Sequence, residues 1–128
     1  MNTEGCRIDF SALSAAGLDL KAADERFAGM GQLYEKCLLL YFRSDNITRL
    51  EELAAAADWQ GVYNCAHTLK GSAGNLALVP LFDIYVKICA GAESRSTAEI
   101  PELLAQARRY EDTFRRAAGC SDIPGNAS

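Results

Sequence analysis

The side chain best suited to chemistry in this sequence is its one histidine, His67. A solvated imidazole is mostly neutral near pH 7, and its unprotonated ring nitrogen carries a lone pair that can act as a nucleophile. The electrophile that suits an exposed imidazole without adjacent catalytic groups is a phosphoryl group, because its transfer depends mainly on positioning and charge neutralisation. Lys70 follows three residues later, so its ammonium can reach a phosphoryl oxygen on that ring.

Helical spacing places this histidine on an exposed face. Between Asp58 and Leu76 the apolar residues recur at intervals of three and four and form one stripe, which comprises Val62, Cys65, Ala66, Leu69, Ala73 and Leu76. His67 points away from that stripe. The positions four and seven residues later are Gly71 and Gly74, and a glycine inside a helix costs about 1 kcal/mol relative to alanine. We infer that this surface is kept bare so that a large partner can reach the ring.

The neighbouring turns of the same face complete a surface for a partner protein. Gln60, Tyr63 and Asn64 offer hydrogen bonds and one aromatic contact, and Leu78 extends the exposed patch beyond the glycines. We expect the interface to be modest in area and the complex to be transient. Close helix packing is an alternative role for the two glycines, but their position away from the apolar stripe disfavours it.

Other chemistries fit the sequence poorly. A metal site in a helical bundle needs several histidines and inward glutamates, so we predict no metal and no cofactor for a chain with one histidine. Cys65 is two residues from His67 and does not share its face. The glycines at 71 and 74 lie inside a helix, where backbone amides are already bonded and cannot cradle a nucleotide phosphate. We therefore predict a protein without kinase activity or a nucleotide site.

Composition restricts the class of protein further. The chain has 128 residues and a net charge of −4, which favours one domain and argues against a nucleic-acid partner. No apolar run is long enough to span a membrane, and the first residues lack a secretory signal. An odd number of widely spaced cysteines predicts free thiols in a reducing compartment, at Cys6, Cys37, Cys65, Cys89 and Cys120. We expect a cytoplasmic monomer that does not bind membranes.

The rest of the chain predicts helices only. They cover about 20–28, 32–43, 46–57, 58–78 and 81–92, with Asp19 capping the first and Asp58 the histidine helix, and with a short turn within 10–16. The last helix ends near 118. Its start stays open, since Ser96 with Glu99 resembles a capping box, whereas Pro101 favours a start nearer Ile100. The buried stripe of the second helix is predicted to be Leu33, Cys37, Leu40 and Tyr41, and that of the last helix Leu103, Ala107, Tyr110, Phe114 and Ala117. Arg108, Arg109, Arg115 and Arg116 are expected on the solvated flank of that last helix.

Short connections between amphipathic helices predict an all-α fold, an antiparallel four-helix bundle with one or two additional N-terminal helices. We divide the chain into an N-terminal leader (1–17), a bundle domain (18–118) and a flexible C-terminal tail (119–128).

The segment from His67 to Leu76, HTLKGSAGNL, resembles the signature of histidine-containing phosphotransfer (HPt) domains, small helical bundles that carry phosphate in two-component phosphorelays. The resemblance covers about 18–118 and includes the Asp-Trp start of the histidine helix, the preceding Leu-Glu-Glu-Leu, and the Gly-Leu-Asp-Leu at 17–20. Two positions depart from the family pattern: Ala77 stands where a glycine is frequent, and 85–88 lacks a leucine-glutamate pair.

The resemblance implies that His67 accepts the phosphoryl group, that Lys70 is its charge partner and that Gly71 permits the approach of the partner. The implied partners are receiver domains of response regulators or hybrid sensor histidine kinases, which supply the aspartate and the Mg²⁺. The alternative function is a helical adaptor or docking module that carries no phosphate.

Overall fold

The computed structural model describes residues 8–119, and its regular elements there are all α-helices. They are α1 (Phe10–Ala16), α2 (Leu20–Phe27), α3 (Gly31–Arg43), α4 (Asn46–Ala55), α5 (Trp59–Asn75), α6 (Val79–Ser94) and α7 (Ile100–Ala117). Helices α4 to α7 form the bundle: α5 packs most extensively against α6, α6 packs against α7, and α4 contacts both α5 and α7. The predicted all-α bundle is confirmed. A helix, α1, occupies the segment for which only a turn was predicted.

Aspartates determine where most of the helices begin. Asp9, Asp19, Asp45 and Asp58 each accept a hydrogen bond from the backbone N–H three residues later, which satisfies a group that the helix itself leaves unpaired. The predicted caps at Asp19 and Asp58 are confirmed. In α5 the carboxylate of Asp58 lies 3.0 Å from the amide nitrogen of Gly61, and this cap sets the start of the histidine helix.

The turn after α5 differs from the prediction by a few residues. The helix ends at Asn75 rather than near Leu78, because the N–H groups of Ala77 and Leu78 fold back onto the carbonyls of Gly74 and Ala73. This arrangement requires a left-handed residue after the helix, and Ala77 adopts it with φ +62°. That conformation favours glycine, the residue that is frequent here in the family pattern. With Ala77 in its place the turn still forms, although its backbone conformation is less favourable.

The N-terminal helices hold this turn against the bundle. The backbone N–H of Asp19 donates to the carbonyl of Ala77 at 2.9 Å, and the hydroxyl of Tyr34 on α3 donates to the carbonyl of Leu76 at 2.7 Å. The Arg26 guanidinium on α2 donates to the carbonyls of Gly74 and Asn75. These contacts satisfy the carbonyls at the C-terminal end of α5 and bring α2 beside it.

The predicted leader contributes to the core within the described residues. Leu13 of α1 is completely buried, and α1 packs against α7. The boundary at residue 18 and the flexible tail stay predictions, since residues 1–7 and 120–128 lie outside the described part of the chain.

The inward faces of α3 and α7 were predicted partly wrongly. On α3, Leu33 and Leu40 are 47% and 66% exposed, while Tyr34, Leu38, Tyr41 and Phe42 are buried. The predicted and the observed inward residues of α3 both have helical spacing. The observed face is favoured because the hydroxyls of Tyr34 and Tyr41 find buried hydrogen-bond acceptors. On α7, Tyr110 is exposed.

Glu111 and Arg115 take interior positions on α7, although Arg115 was expected in solvent. The hydroxyls of Tyr41 and Tyr85 each donate to one carboxylate oxygen of Glu111 at 2.6 Å, and the side-chain amide of Asn46 donates to the other oxygen at 3.4 Å. Arg115 donates to the carbonyls of Phe42 and Ser44. The two tyrosine hydrogen bonds therefore join α3, α6 and α7 through the buried carboxylate of Glu111.

Stability should depend on pH through this carboxylate. Burial raises the pKa of Glu111, although its three hydrogen-bond donors oppose that effect. The folded protein binds the proton of the Glu111 carboxyl more tightly than the unfolded chain does. The stabilisation from this tighter binding is fully present below the carboxyl's ordinary pKa and is lost as pH rises through the raised pKa. We expect the wild type to lose stability relative to Glu111→Gln between pH 4 and pH 8. Urea unfolding of both proteins across that range measures the difference, and a constant difference would contradict the account.

Candidate functional site

The rotation of α5 in the bundle determines which side chains form the site. Val62, Ala66, Leu69 and Ala73 are buried against the other helices. Cys65 lies at the margin of this face and is partly buried. His67 lies on the opposite side and is exposed, as the spacing of the sequence predicted. The imidazole is therefore accessible on a helix that packing holds in place.

An aromatic side chain one turn earlier supports the imidazole. The rings of Tyr63 and His67 are stacked, with centroids 5.7 Å apart and an interplanar angle of 16°. From the sequence, Tyr63 was predicted only to contact a partner, and this internal contact was missed. The spacing of four residues within one helix was the signal that could have revealed it.

Lys70 lies one turn after the histidine and is partly buried. Within residues 8–119 no acidic side chain lies within ion-pair distance of it, so its ammonium is available for an anionic group. Its charge reaches α6, where it lowers the pKa of the Cys89 thiol against the larger raising effect of burial. Lys70 also lines a groove together with Val79 and Phe82 of α6, so it lies on the side of the site that faces α6.

The two glycines of the motif have different surroundings. A Cβ atom added at Gly71 would meet nothing within 4 Å, so this position opens directly to solvent. A Cβ atom at Gly74 would lie 3.0 and 3.2 Å from two ring carbons of Phe82 on α6. The alternative of close helix packing, which the sequence disfavoured, therefore applies to Gly74. Gly71 alone has the open backbone that was inferred for both.

A groove adjoins this surface between α2, α5 and α6. It has a volume of about 420 Å³, and its walls include Arg26, Lys70, Gly71, Gly74 and Phe82. On α6 the exposed side chains of Val79, Phe82 and Val86 recur at helical spacing and form an apolar stripe. Val79 and Phe82 of this stripe line the groove. This stripe was not predicted from the sequence.

Two of the remaining predicted partner residues are exposed and one is buried. Gln60 and Asn64 are exposed, and the amide nitrogen of Gln60 donates to the side-chain oxygen of Asn64 at 3.2 Å. Leu78 has no exposed surface. It lies beyond the end of α5 and precedes the first residue of α6. The prediction that its side chain belongs to the exposed patch was therefore wrong.

The described residues give little support to thiol or metal chemistry. Burial raises the pKa values of Cys65 and Cys89, which disfavours the nucleophilic thiolate. Cys37, Cys65 and Cys89 are free thiols, while Cys6 and Cys120 lie outside the described residues. No three His, Cys, Asp or Glu side chains between residues 8 and 119 come together as metal ligands.

None of α1 to α7 has the length and apolar character of a membrane-spanning helix.

Comparison with known proteins gives one match. A family model described as "Hpt domain" matches residues 38–117, a range that contains all of α4, α5, α6 and α7. No curated protein and no solved structure matches the chain. The matched range includes His67, Lys70 and Gly71.

The different surroundings of the glycines in α5 predict opposite effects of alanine. Gly71→Ala should raise the free energy of unfolding by about 1 kcal/mol, because the methyl group enters open space and alanine has less conformational freedom to lose on folding. The control is Gly61→Ala, whose Cβ atom would lie 2.7 Å from a carboxylate oxygen of Asp58 and 2.8 Å from a methyl carbon of Leu53. It should destabilise the protein, because the Asp58 side chain that caps α5 would have to move. Urea unfolding of both variants decides, and a loss of stability in Gly71→Ala would show that this position is packed.

Proposed function

Because the family model matches more than half of it, the chain belongs to the Hpt domain family, and we propose that it carries a phosphoryl group on His67. Hpt domains are phosphocarriers of two-component systems, and they interact with receiver domains. The observation that carries the assignment to His67 is the exposure of its imidazole on the face of α5 opposite the buried one, with Lys70 and the bare backbone of Gly71 beside it.

The transfer is an exchange between two nucleophiles. The lone pair of the unprotonated ring nitrogen of His67 attacks the phosphorus of a receiver aspartyl phosphate. The bond from phosphorus to the carboxylate oxygen breaks, its electron pair stays on the carboxylate, and the other ring nitrogen keeps its proton. Attack by an aspartate of a second receiver reverses these changes, so the same site accepts and donates the group.

The chain's own residues would act by position and charge. Lys70 has no competing carboxylate in the described residues, and its ammonium would neutralise charge on the phosphoryl oxygens. We propose no cofactor for this chain. The Mg²⁺ of the reaction is expected on the receiver, held there by the receiver's own carboxylates.

The surface around the imidazole supports docking of a receiver. Gly71 allows the partner's backbone or side chains to approach α5 closely, while the stripe of Val79, Phe82 and Val86 offers apolar surface to bury. Gln60 and Asn64 lie at the other end of the site and would contribute polar contacts. Direct contact around His67 is required, because transfer needs the reacting atoms within about 3–3.5 Å of each other.

Phosphorylation should depend on His67. Incubation with a phosphorylated receiver and Mg²⁺ should place one phosphoryl group on each chain, through a linkage that is labile in acid and stable in base. His67→Gln removes the acceptor nitrogen from an exposed position, so it should abolish labelling and preserve the helical circular dichroism. Retained binding of the receiver by a wild-type chain that never becomes labelled would favour the adaptor. Labelling that persists in His67→Gln would refute the acceptor assignment.

Lys70 should affect the rate of transfer more than the stability of the fold. Lys70→Ala removes one charge-assisted interaction with the phosphoryl group, so the rate should fall about tenfold or more. Lys87→Ala is the matched control, since Lys87 is exposed on α6 and borders a separate groove near the α6–α7 connection. Rapid-quench measurement with a phosphorylated receiver compares the variants. An unchanged rate in Lys70→Ala would contradict the proposed charge role.

A further inference from the structure

We propose that Tyr63 is a positioning residue, which holds the His67 imidazole in one orientation for phosphoryl transfer. The kinetic part of this inference rests on the proposed function, whereas the ring contact itself does not. The two rings stack with centroids 5.7 Å apart and planes inclined by 16°. Such a contact restrains the rotation of the smaller and more exposed ring.

Tyr63 is itself held by the bundle. Its side chain is partly buried and packs against the hydrophobic core, and it borders a groove between the start of α5 and the end of α6. Its backbone carbonyl accepts a hydrogen bond from the Cys89 thiol of α6, with sulfur and oxygen 3.9 Å apart. A side chain held in this way can serve as a fixed platform for an exposed neighbour.

The contact with Tyr63 is the ring contact of the imidazole within residues 8–119. The His67 ring makes no hydrogen bond or ion pair in this part of the chain. The side-chain oxygen of Asn64, one turn before it, is bonded to Gln60, and the hydroxyl of Thr68 is bonded to the backbone of Asn64. Gly71, one turn after it, has no side chain. The contact with Tyr63 is therefore the interaction in the described chain that can orient the ring.

The geometry of a stack suits a nucleophile. The two rings are nearly parallel, and the lone pair of the unprotonated nitrogen lies in the plane of the imidazole. Because the His67 side chain is exposed, the reactive nitrogen stays accessible at the ring edge. An aromatic pair of this kind can favour one orientation by about 2- to 10-fold over the others. A ring that is already oriented reaches the near-attack geometry more often, so the transfer step is faster.

The ring contact can be tested in the unphosphorylated protein. The chain has one histidine, so its imidazole protons give single, readily assigned NMR signals. Nuclear Overhauser contacts between these protons and the Tyr63 ring protons are expected in the wild type. They should persist in Tyr63→Phe and be absent in Tyr63→Leu. Their absence from the wild type would overturn the proposal.

The kinetic role is tested with the same variants and a phosphorylated receiver. Tyr63→Leu should lower the rate at saturating receiver about 2- to 10-fold, the range of the orientational preference, with little change in the half-saturating concentration. Tyr63→Phe should restore the rate, because the stack needs the ring and not the hydroxyl. Tyr110→Leu on α7 is the control, since Tyr110 is also partly exposed but contacts Phe114 instead.

The possible outcomes separate the two proposals. A wild-type rate in Tyr63→Leu, or a rate in Tyr63→Phe as low as that in Tyr63→Leu, would overturn the positioning role while transfer through His67 stands. A change confined to the half-saturating concentration would make Tyr63 a docking residue and would also overturn that role. If the wild type accepted no phosphoryl group although the ring contact was present, the proposed function would fail and the positioning role with it.

Discussion

The burial of one face of α5 is the constraint on which the site depends. Val62, Ala66, Leu69 and Ala73 pack into the bundle, and this contact fixes the rotation of the helix about its axis. Because successive residues of a helix are separated by about 100°, the same rotation turns His67 toward solvent. A reactive group that another protein must reach has to be exposed and yet held in place. Burial of the opposite face of the helix meets both requirements.

The ends of α5 and the bundle around it keep that rotation in place. Asp58 caps the start of the helix, while Arg26 on α2 and Tyr34 on α3 bond to carbonyls at its other end. Farther from the site, Glu111 joins α3, α6 and α7 through buried hydrogen bonds. The hydrogen bonds of Tyr34 and Glu111 are buried. Leaving one of these groups unpaired costs about 1–3 kcal/mol, so these contacts resist displacement of the helices around α5.

The sequence predicted the parts of this arrangement that follow from local rules. Helical periodicity and an aspartate cap were enough for α5 and for the exposure of His67. The inward face of α3 required knowledge of where a tyrosine hydroxyl finds an acceptor, because two stripes had the same spacing. The interior Glu111 and Arg115 were missed for the same reason, since their partners lie on other helices. Leu78 was misplaced because α5 ends before it, and the roles of Gly74 and the α6 stripe depend on how closely Phe82 approaches α5.

The central claim, that α5 presents one imidazole nitrogen for phosphorylation, is tested most directly by NMR of the phosphorylated protein. Phosphorus-31 spectra should show one phosphoramidate signal whose coupling connects it to the ring protons of His67. The amide signals of Val62, Ala66, Leu69 and Ala73 should shift little, because the buried face of α5 stays in the bundle. A phosphorus signal without coupling to the imidazole, or large shifts along that buried face, would contradict the account.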